Sequence, residues 1–394
     1  MIQSLYATKA SVRSRNKAPQ PTRKSRAAER DVKHQRSGVL YLKSSTGKYY
    51  IGLDHVRALA AFMVFTWHFI HVNNGHNAPP PTFPLSLLTE GHTGVALFMA
   101  LSGYLFAKLL DGKSIIYTQF IWNRFLRLAP LLLIIIFIVG LKNYFAGQDI
   151  YSYAKSILAG FIRPLLPNGG WSITAEFHFY LIFPLLLFLT SRWKYSLLLV
   201  LMLAVTMRAF LHHELGQIQT LSYWTIIGRV DQFVLGILAF QFRNSIANKH
   251  LVVFFCFFIF AYFYWYFDSM GGFYKSPSYP SPSSIWIYMP TIEGFTYALL
   301  IAWYDNSFRH STGKISRFIA LIGTYSYSIY LLHFFVVFRM SKAINAHIID
   351  LSNINLAILF SILCFLVMVP IGYISYRFIE TPFLRFRKVY CRSL

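Results

Sequence analysis

The sequence predicts an all-α protein: a polytopic transmembrane helical bundle of about ten spans, with both termini in the cytosol. Of its 394 residues, 56% are hydrophobic and only 13% are charged, whereas about a quarter of a soluble domain is charged. The hydrophobic residues form runs of the length that crosses roughly 30 Å of hydrocarbon. The basic residues fall in a tail and in short loops between these runs, as the positive-inside rule predicts.

The position of the charges argues against a nucleic-acid-binding protein. The formal net charge is +23, but a nucleic-acid-binding protein would carry its cations on a soluble face. Cys256, Cys364 and Cys391 show no disulfide framework or metal-ligand spacing, and we expect neither a metal nor a permanently bound cofactor. Residues 1–48 are basic and lack an apolar core segment, which predicts a disordered cytosolic tail and not a signal peptide.

The membrane domain is predicted to cover residues 49–385, followed by a cytosolic C-terminal tail at 386–394. The stretches 72–89 and 211–223 contain no Lys or Arg and are therefore expected to face outward. We expect a multi-pass protein of the inner cell membrane, surrounded by lipid. The predicted spans are 51–71, 91–110, 124–141, 171–190, 194–211, 224–242, 250–267, 286–304, 317–338 and 353–379.

Polar residues in the first span are the strongest functional signal, because charge inside a bilayer is costly. Arg57 and His68 are close to three helical turns apart, share one face with Asp54, and are separated by roughly 16 Å along the axis. Arg57 alone is also consistent with an interfacial residue paired with Asp54. His68 alone is consistent with a hydrogen-bonded packing residue. Their common face favours a functional role.

Other spans contribute further polar residues. The fourth span places Ser172, Glu176 and Tyr180 on one helical face, with Glu176 about 7 Å beyond Trp171. A carboxylate at that depth must be paired or protonated. His178 points away from this face.

The third and sixth spans carry charges at their ends. Arg124 and Arg127 begin the third span and suit either phosphate binding or ordinary cytosolic flanking. Arg229 and Asp231 begin the sixth span and suit either a local ion pair or contact with a polar acceptor.

The ninth span carries a polar stripe. Gly323, Ser326, Tyr330 and His333 recur at spacings that share one helical face, and such a stripe faces a cavity or another helix and not lipid.

Several segments together resemble the membrane acyltransferase-3 family, the multi-span O-acyltransferases of bacterial glycans, lipids and antibiotics. The resemblance covers residues 50–385, with His55, Val56 and His178 departing from the usual pattern. The sequence shows no added extracytoplasmic domain, so we expect a single-module enzyme. The matching segments are Asp54-x-x-Arg57 with His68, Gly91-x-x-Gly94 through Leu105, Phe120-x-x-x-Arg124-x-x-Arg127-x-x-Pro130, Trp171-Ser172-x-x-x-Glu176-x-x-Phe179-Tyr180, Gly323-x-x-Ser326 through His333, and Glu380-x-Pro382-Phe383.

The resemblance implies an acetyl-CoA-dependent O-acetyltransferase that acts on a carbohydrate or lipid-linked glycan beyond the membrane. Arg57, Arg124 and Arg127 are expected to hold the phosphates of acyl-CoA, with Asp54 fixing Arg57. His68 is the expected general base, because its ordinary pKa of about 6.5 suits proton transfer near neutrality. A covalent acyl-histidine is an alternative route.

The remaining expected roles concern the acceptor. Glu176 would orient His68 or bind the acceptor, and we expect Arg57 and His68 to line one continuous passage for the thioester. The expected acceptor-binding or cavity-lining residues are Trp171, Ser172, Tyr180, Arg229, Asp231, Ser326, Tyr330 and His333.

Two other classes of protein fit parts of the pattern. A polysaccharide or lipid transporter or flippase would also need buried charges, but the paired halves common in transporters are not visible in the sequence. A sensor or scaffold that has kept the fold without activity would not require Arg57, His68 and Glu176 together.

Overall fold

The structure, a computed structural model, describes residues 50–72, 79–193 and 195–393. The tail predicted at 1–48 lies outside these ranges. Within them the chain is overwhelmingly helical, and the two strands, β1 (Lys113–Ile115) and β2 (Cys391–Ser393), pair antiparallel. The all-α prediction is therefore confirmed.

The helices follow one another with short connections. Asp149 and Asn353 cap two of them with side-chain oxygens that accept backbone N–H groups, which satisfies donors left free at a helix start. In chain order the helices are α1 (Ile51–Ile70), α2 (Ser86–Thr89), α3 (Gly94–Leu110), α4 (Tyr117–Phe145), α5 (Ile150–Ala159), α6 (Trp171–Arg192), α7 (Ser196–Leu215), α8 (Gln219–Trp224), α9 (Ile226–Gln241), α10 (Arg243–Ile246), α11 (His250–Ser269), α12 (Gly272–Lys275), α13 (Ile285–Ser307), α14 (Lys314–Thr324), α15 (Ser326–Leu332), α16 (Val337–His347), α17 (Ile354–Ser375) and α18 (Thr381–Leu384).

Seven helical segments among the described residues are long and apolar enough to cross a membrane, or eight if a bent pair counts as one span. All ten predicted segments are helical, but the number of spans is not confirmed as ten, and the cytosolic location of the termini stays a prediction. The seven segments are Gly91–Leu110, Tyr117–Phe145, Trp171–Arg192, Ser196–Leu215, His250–Ser269, Ile285–Ser307 and Ile354–Leu384.

Two other predicted spans, α1 and α9, are not among the seven segments or the bent pair. Most residues of each are buried, and α9 has only 16 residues. Because protein surrounds them, these helices can carry charges that lipid-facing helices exclude. In the first span Asp54 is buried, and Arg57 and His68 are partly buried.

Close helix packing depends on glycine at the contact between α3 and α9. A Cβ added to Gly103 would lie 2.0 Å from the carbonyl oxygen of Phe233, and one added to Gly236 would lie 2.1 Å from that of Ala100. Small residues of this kind let helix backbones approach in membranes. This contact fixes α3, which forms one wall of the site described below.

The predicted ninth span is not one straight helix. It divides into Lys314–Thr324 and Ser326–Phe335, which meet at 53°. The Thr324 hydroxyl donates a hydrogen bond of 3.0 Å to the Ala320 carbonyl, an arrangement that bends helices. The bend turns α15 and the following His333 toward α1.

Candidate active site

A cavity of about 110 Å³ lies between α1, α3, α4, α6 and α15. It gathers predicted site residues from four spans that are far apart in the sequence. Its apolar walls come mainly from α3. The polar side chains that line it are Arg57, Ser102, Arg124, Arg127, Ser172, Glu176, Ser326, Tyr327 and Tyr330.

The three predicted donor-binding arginines all line this cavity. Arg57 donates a hydrogen bond to the Asp54 carboxylate, so Asp54 holds Arg57 as expected. The Arg124 guanidinium lies 5.1 Å from the centre of the Phe106 ring and 5.6 Å from that of Phe120. Its Nε is buried without a hydrogen-bond partner among the described residues, so this donor is available to a ligand.

Glu176 does not orient His68, contrary to one of its two expected roles. Its carboxylate accepts a hydrogen bond from the Tyr180 hydroxyl one turn further along α6, and it interacts electrostatically with Arg127. Tyr180 is buried behind the cavity. Glu176 therefore balances the charge of the arginines, and its acceptor-binding role stays a prediction.

His68 is oriented instead by His333. The His68 Nδ1 lies 2.8 Å from the Val64 carbonyl and 3.2 Å from the His333 Nε2, while the His333 Nδ1 lies 2.5 Å from the Tyr330 carbonyl. Carbonyl oxygens only accept, so we assign a proton to each Nδ1. The His333 Nε2 then accepts from His68, and among the described residues the His68 Nε2 has no hydrogen-bond partner.

Arg57 and His68 do not line one open passage, so that prediction is wrong for this conformation. His68 is absent from the cavity walls. Between them stand the Tyr330 ring, which packs 6.2 Å from the Phe98 ring, and the His333 ring, 5.9 Å beyond Tyr330. The packing of these rings closes the cavity on this side.

Arg229 and Asp231 form no local ion pair and do not line the cavity. Arg229 is 1% exposed and donates to the Tyr223 carbonyl at 2.8 Å and to Gln232 at 3.1 Å. Asp231 is fully buried and accepts two hydrogen bonds, of 2.7 and 3.0 Å, from Arg208. Both groups hold neighbouring helices together. The Arg229 Nη2 is buried without a hydrogen-bond partner among the described residues, and the contact of Arg229 and Asp231 with an acceptor stays a prediction.

Trp171 is also part of the packed interior. It is 6% exposed, and the Arg229 guanidinium lies 5.4 Å from its ring centre. Ser172, the next residue, does line the cavity, as do Ser326 and Tyr330.

Besides Glu90 and Glu293, sequence reasoning missed two further buried charged residues, Arg208 and Glu380, as candidate site residues. Arg208 lies in the predicted fifth span and was not singled out. Glu380 is fully buried, accepts a hydrogen bond of 2.5 Å from Ser328, and interacts electrostatically with Arg127. A charged residue within or at the end of an apolar run was the available signal for both. In the described ranges no three His, Cys, Asp or Glu side chains converge as a metal site would require.

A comparison with known protein families identifies the family to which this chain belongs. The acyltransferase-3 profile, described as an acyltransferase domain, matches residues 50–377. The chain belongs to the acyltransferase-3 family. With its long apolar helices, this membership makes it a multi-pass membrane protein.

Relatives in this acyltransferase-3 family carry O-acetyltransferase names. The O-acetyltransferase OatA of Staphylococcus aureus strain NCTC 8325 is 26% identical over 386 residues, covering 86% of the chain and 58% of the relative. A second S. aureus protein with an O-acetyltransferase name, from strain COL, is 26% identical over 403 residues, covering 87% and 58%. The peptidoglycan O-acetyltransferase OatA of Listeria monocytogenes is 26% identical over 171 residues, covering 37% and 25%.

The chain thus spans about 58% of the length of the first of these relatives. No solved structure matches the chain.

Proposed function

We propose that this acyltransferase-3 protein is an O-acetyltransferase that moves an acetyl group from cytosolic acetyl-CoA to a carbohydrate hydroxyl on the other side of the membrane. The observation that carries the proposal is the arrangement of Arg57, Arg124 and Arg127 around one cavity, with the His68–His333 pair beyond its inner wall. Arginines suit the phosphates of CoA because each presents a fork of donors.

The proposed chemistry uses His68 as the general base. Its Nε2 takes the proton of the acceptor hydroxyl while the oxygen attacks the acetyl carbonyl carbon. The C–S bond then breaks, and the leaving CoA thiolate takes the proton from the His68 Nε2. The His68 Nδ1–H stays protonated and donates to the Val64 carbonyl and to the His333 Nε2 throughout, so the ring keeps its orientation.

The thioester must pass Tyr330 to reach His68. The proposal therefore includes movement of the Tyr330 ring away from Phe98, which it packs against in the closed cavity. The Tyr330 hydroxyl donates one hydrogen bond, of 3.1 Å, to the Gly169 carbonyl. A single neutral hydrogen bond contributes only about 1 kcal/mol, which the binding of a CoA arm can offset.

The acceptor class rests on the relatives. One of them is named for the O-acetylation of peptidoglycan, and we extend to this chain the class of carbohydrate hydroxyls. Acetyl is proposed as the acyl group because the relatives are named O-acetyltransferases.

The proposal is tested by two experiments, one with purified protein and one with cells. Proteoliposomes given radiolabelled acetyl-CoA on one side and glycan fragments on the other should accumulate labelled glycan. Mass spectrometry of cell-surface glycans from a deletion strain should show loss of an acetyl mass from an otherwise intact glycan. Loss of the whole glycan, with no labelled product in proteoliposomes, would indicate a transporter instead.

His333 provides a separate prediction as a positioning residue. Replacing it by Leu removes one of the two acceptors that orient His68, and we expect kcat to fall about tenfold, the value of one hydrogen bond of roughly 1.4 kcal/mol. The KM for acetyl-CoA should not change, because His333 is outside the donor cavity. His333→Gln retains an acceptor oxygen and should recover part of the rate. Equal losses in both variants, or a change confined to KM, would contradict this role.

A further inference from the structure

The C-terminal segment after α18 is fixed against the start of α4. The Asn123 side chain donates a hydrogen bond of 2.6 Å to the Lys388 carbonyl and accepts one of 2.9 Å from the Lys388 N–H. The Ile116 N–H donates to the Tyr390 carbonyl at 2.8 Å, and β2 pairs with β1 just beyond. Asn123 and Tyr390 are each 1% exposed. The segment predicted as a tail is therefore a docked part of the membrane domain.

This docking places Arg387 next to two arginines of the cavity. Asn123 precedes Arg124 and Lys388 follows Arg387, so the Asn123–Lys388 bonds hold the two chain segments together. Arg387 does not line the cavity, but it lies near enough to Arg124 and Arg127 for their charges to act on it. Burial and then the positive charges of Arg127 and Arg124 lower the pKa of Arg387 to about 10. Arg387 still carries its charge at neutral pH, because this pKa lies well above 7.

The arginine cluster lacks enough negative charge to balance it. Arg124, Arg127 and Arg387 are three positive charges, and two carboxylates stand against them: Glu380, which acts on Arg387 and on Arg127, and Glu176, which acts on Arg127. The Nε atoms of Arg124 and Arg387 are both buried without hydrogen-bond partners among the described residues. Positively charged guanidinium groups that lie close together and have unused N–H donors form a site suited to an anion.

We infer that Arg387, presented by the docked C-terminal segment, joins Arg124 and Arg127 in binding a phosphate group of acyl-CoA. The inference rests on the proposed function, because it names a further residue of the same donor site. We propose phosphate as the ligand class because several guanidinium groups lie near one another, and each offers paired N–H donors that match phosphate oxygens. Asn123 acts indirectly, as the residue that positions Arg387.

The test is the equilibrium binding of radiolabelled acetyl-CoA to the full chain in lipid nanodiscs. Arg387→Gln should weaken binding at least about tenfold, as expected for a lost charge-assisted hydrogen bond. Arg385→Gln is the matched control, because Arg385 lies two residues earlier and is exposed; its affinity should equal that of the wild type.

Two further variants separate ligand binding from folding. Arg387→Lys keeps the positive charge but lacks the paired N–H donors of a guanidinium group, and it should bind acetyl-CoA with intermediate affinity. Asn123→Ala keeps the arginine but loosens the docking, and should weaken binding in the same direction as Arg387→Gln. Combining Asn123→Ala with Arg387→Gln should then add little to the loss caused by Arg387→Gln alone, because both changes remove the same contact.

Acetyl-dephospho-CoA, which lacks the 3′-phosphate, identifies the phosphate involved. If Arg387 contacts the 3′-phosphate, the wild type and Arg387→Gln should bind this analogue equally. If it contacts the diphosphate, the difference should persist, and either result supports the inference. A wild type that binds acetyl-CoA with an affinity unchanged by Arg387→Gln would overturn the inference but not the proposed donor. A wild type that does not bind acetyl-CoA would overturn both.

Discussion

His68→Ala should lower the rate of acetyl transfer at least a hundredfold, the smaller end of what general-base catalysis contributes. The reason is that the His68 Nε2 has no hydrogen-bond partner in the part of the chain that the structure describes, while Nδ1 contacts Val64 and His333. Acetyl-CoA affinity should not change, because His68 does not line the cavity that holds the arginines. The measurement is single-turnover transfer in proteoliposomes, with the affinity for acetyl-CoA measured in parallel.

His71→Ala is the matched control for this experiment. His71 follows the same helix, and its Nδ1 contacts the carbonyl of the residue four positions earlier, at 3.1 Å, as the Nδ1 of His68 does. It has no hydrogen bond to His333 in the described structure. Wild-type turnover in His68→Ala, or an equal loss in His71→Ala, would remove His68 from the chemistry.

Arg124→Ala should raise the KM for acetyl-CoA about 10- to 100-fold, since a hydrogen bond to a charged group contributes about 1.5–3 kcal/mol. The rate at saturating acetyl-CoA should change little, because phosphate binding remote from the thioester stabilises the bound donor and the transition state alike. Steady-state kinetics with varied acetyl-CoA separate the two parameters.

Arg192→Ala is the control for the arginine variant. The Arg192 guanidinium also lies over an aromatic ring, 5.3 Å from the centre of Phe188, but the residue is exposed and outside the cavity. It should leave KM unchanged. An Arg124→Ala enzyme with wild-type KM, or a KM raised equally by Arg192→Ala, would exclude Arg124 from the donor site.

Charged residues of the cavity could be predicted from the sequence because burying charge in a membrane is costly. A charged residue within an apolar run can therefore be recognised without knowing which helices pack against it. Arg57, Arg124 and Glu176 were each singled out within their own span, and the structure places all three on one cavity. Helical spacing also placed Asp54 on the face of Arg57, and the two side chains do pair.

Contacts between distant helices could not be predicted in this way. The partner of His68 is His333, a pairing set by the bend that follows Thr324, and helical spacing within a predicted straight span does not reveal it. Asp231 seemed to belong with Arg229 because they are two residues apart, yet it pairs with Arg208 on another helix. Spacing along one helix does not determine which helices pack together.

The count of ten spans is not confirmed, for a related reason. Hydrophobic runs identify helices, but they do not distinguish a helix surrounded by lipid from one enclosed by other helices. Helices α1 and α9 belong to the second kind. Their polar residues are tolerated because neighbouring helices provide partners.

The central claim, that the acetyl group reaches the Nε2 of His68, is tested most directly by a cryo-electron microscopy structure in nanodiscs with a non-transferable ketone analogue of acetyl-CoA. The account predicts phosphates on Arg124, a displaced Tyr330 ring, and the carbonyl carbon within about 6 Å of that nitrogen, which leaves room for one acceptor oxygen. A carbonyl group that remains on the Arg57 side of an unmoved Tyr330 would contradict it.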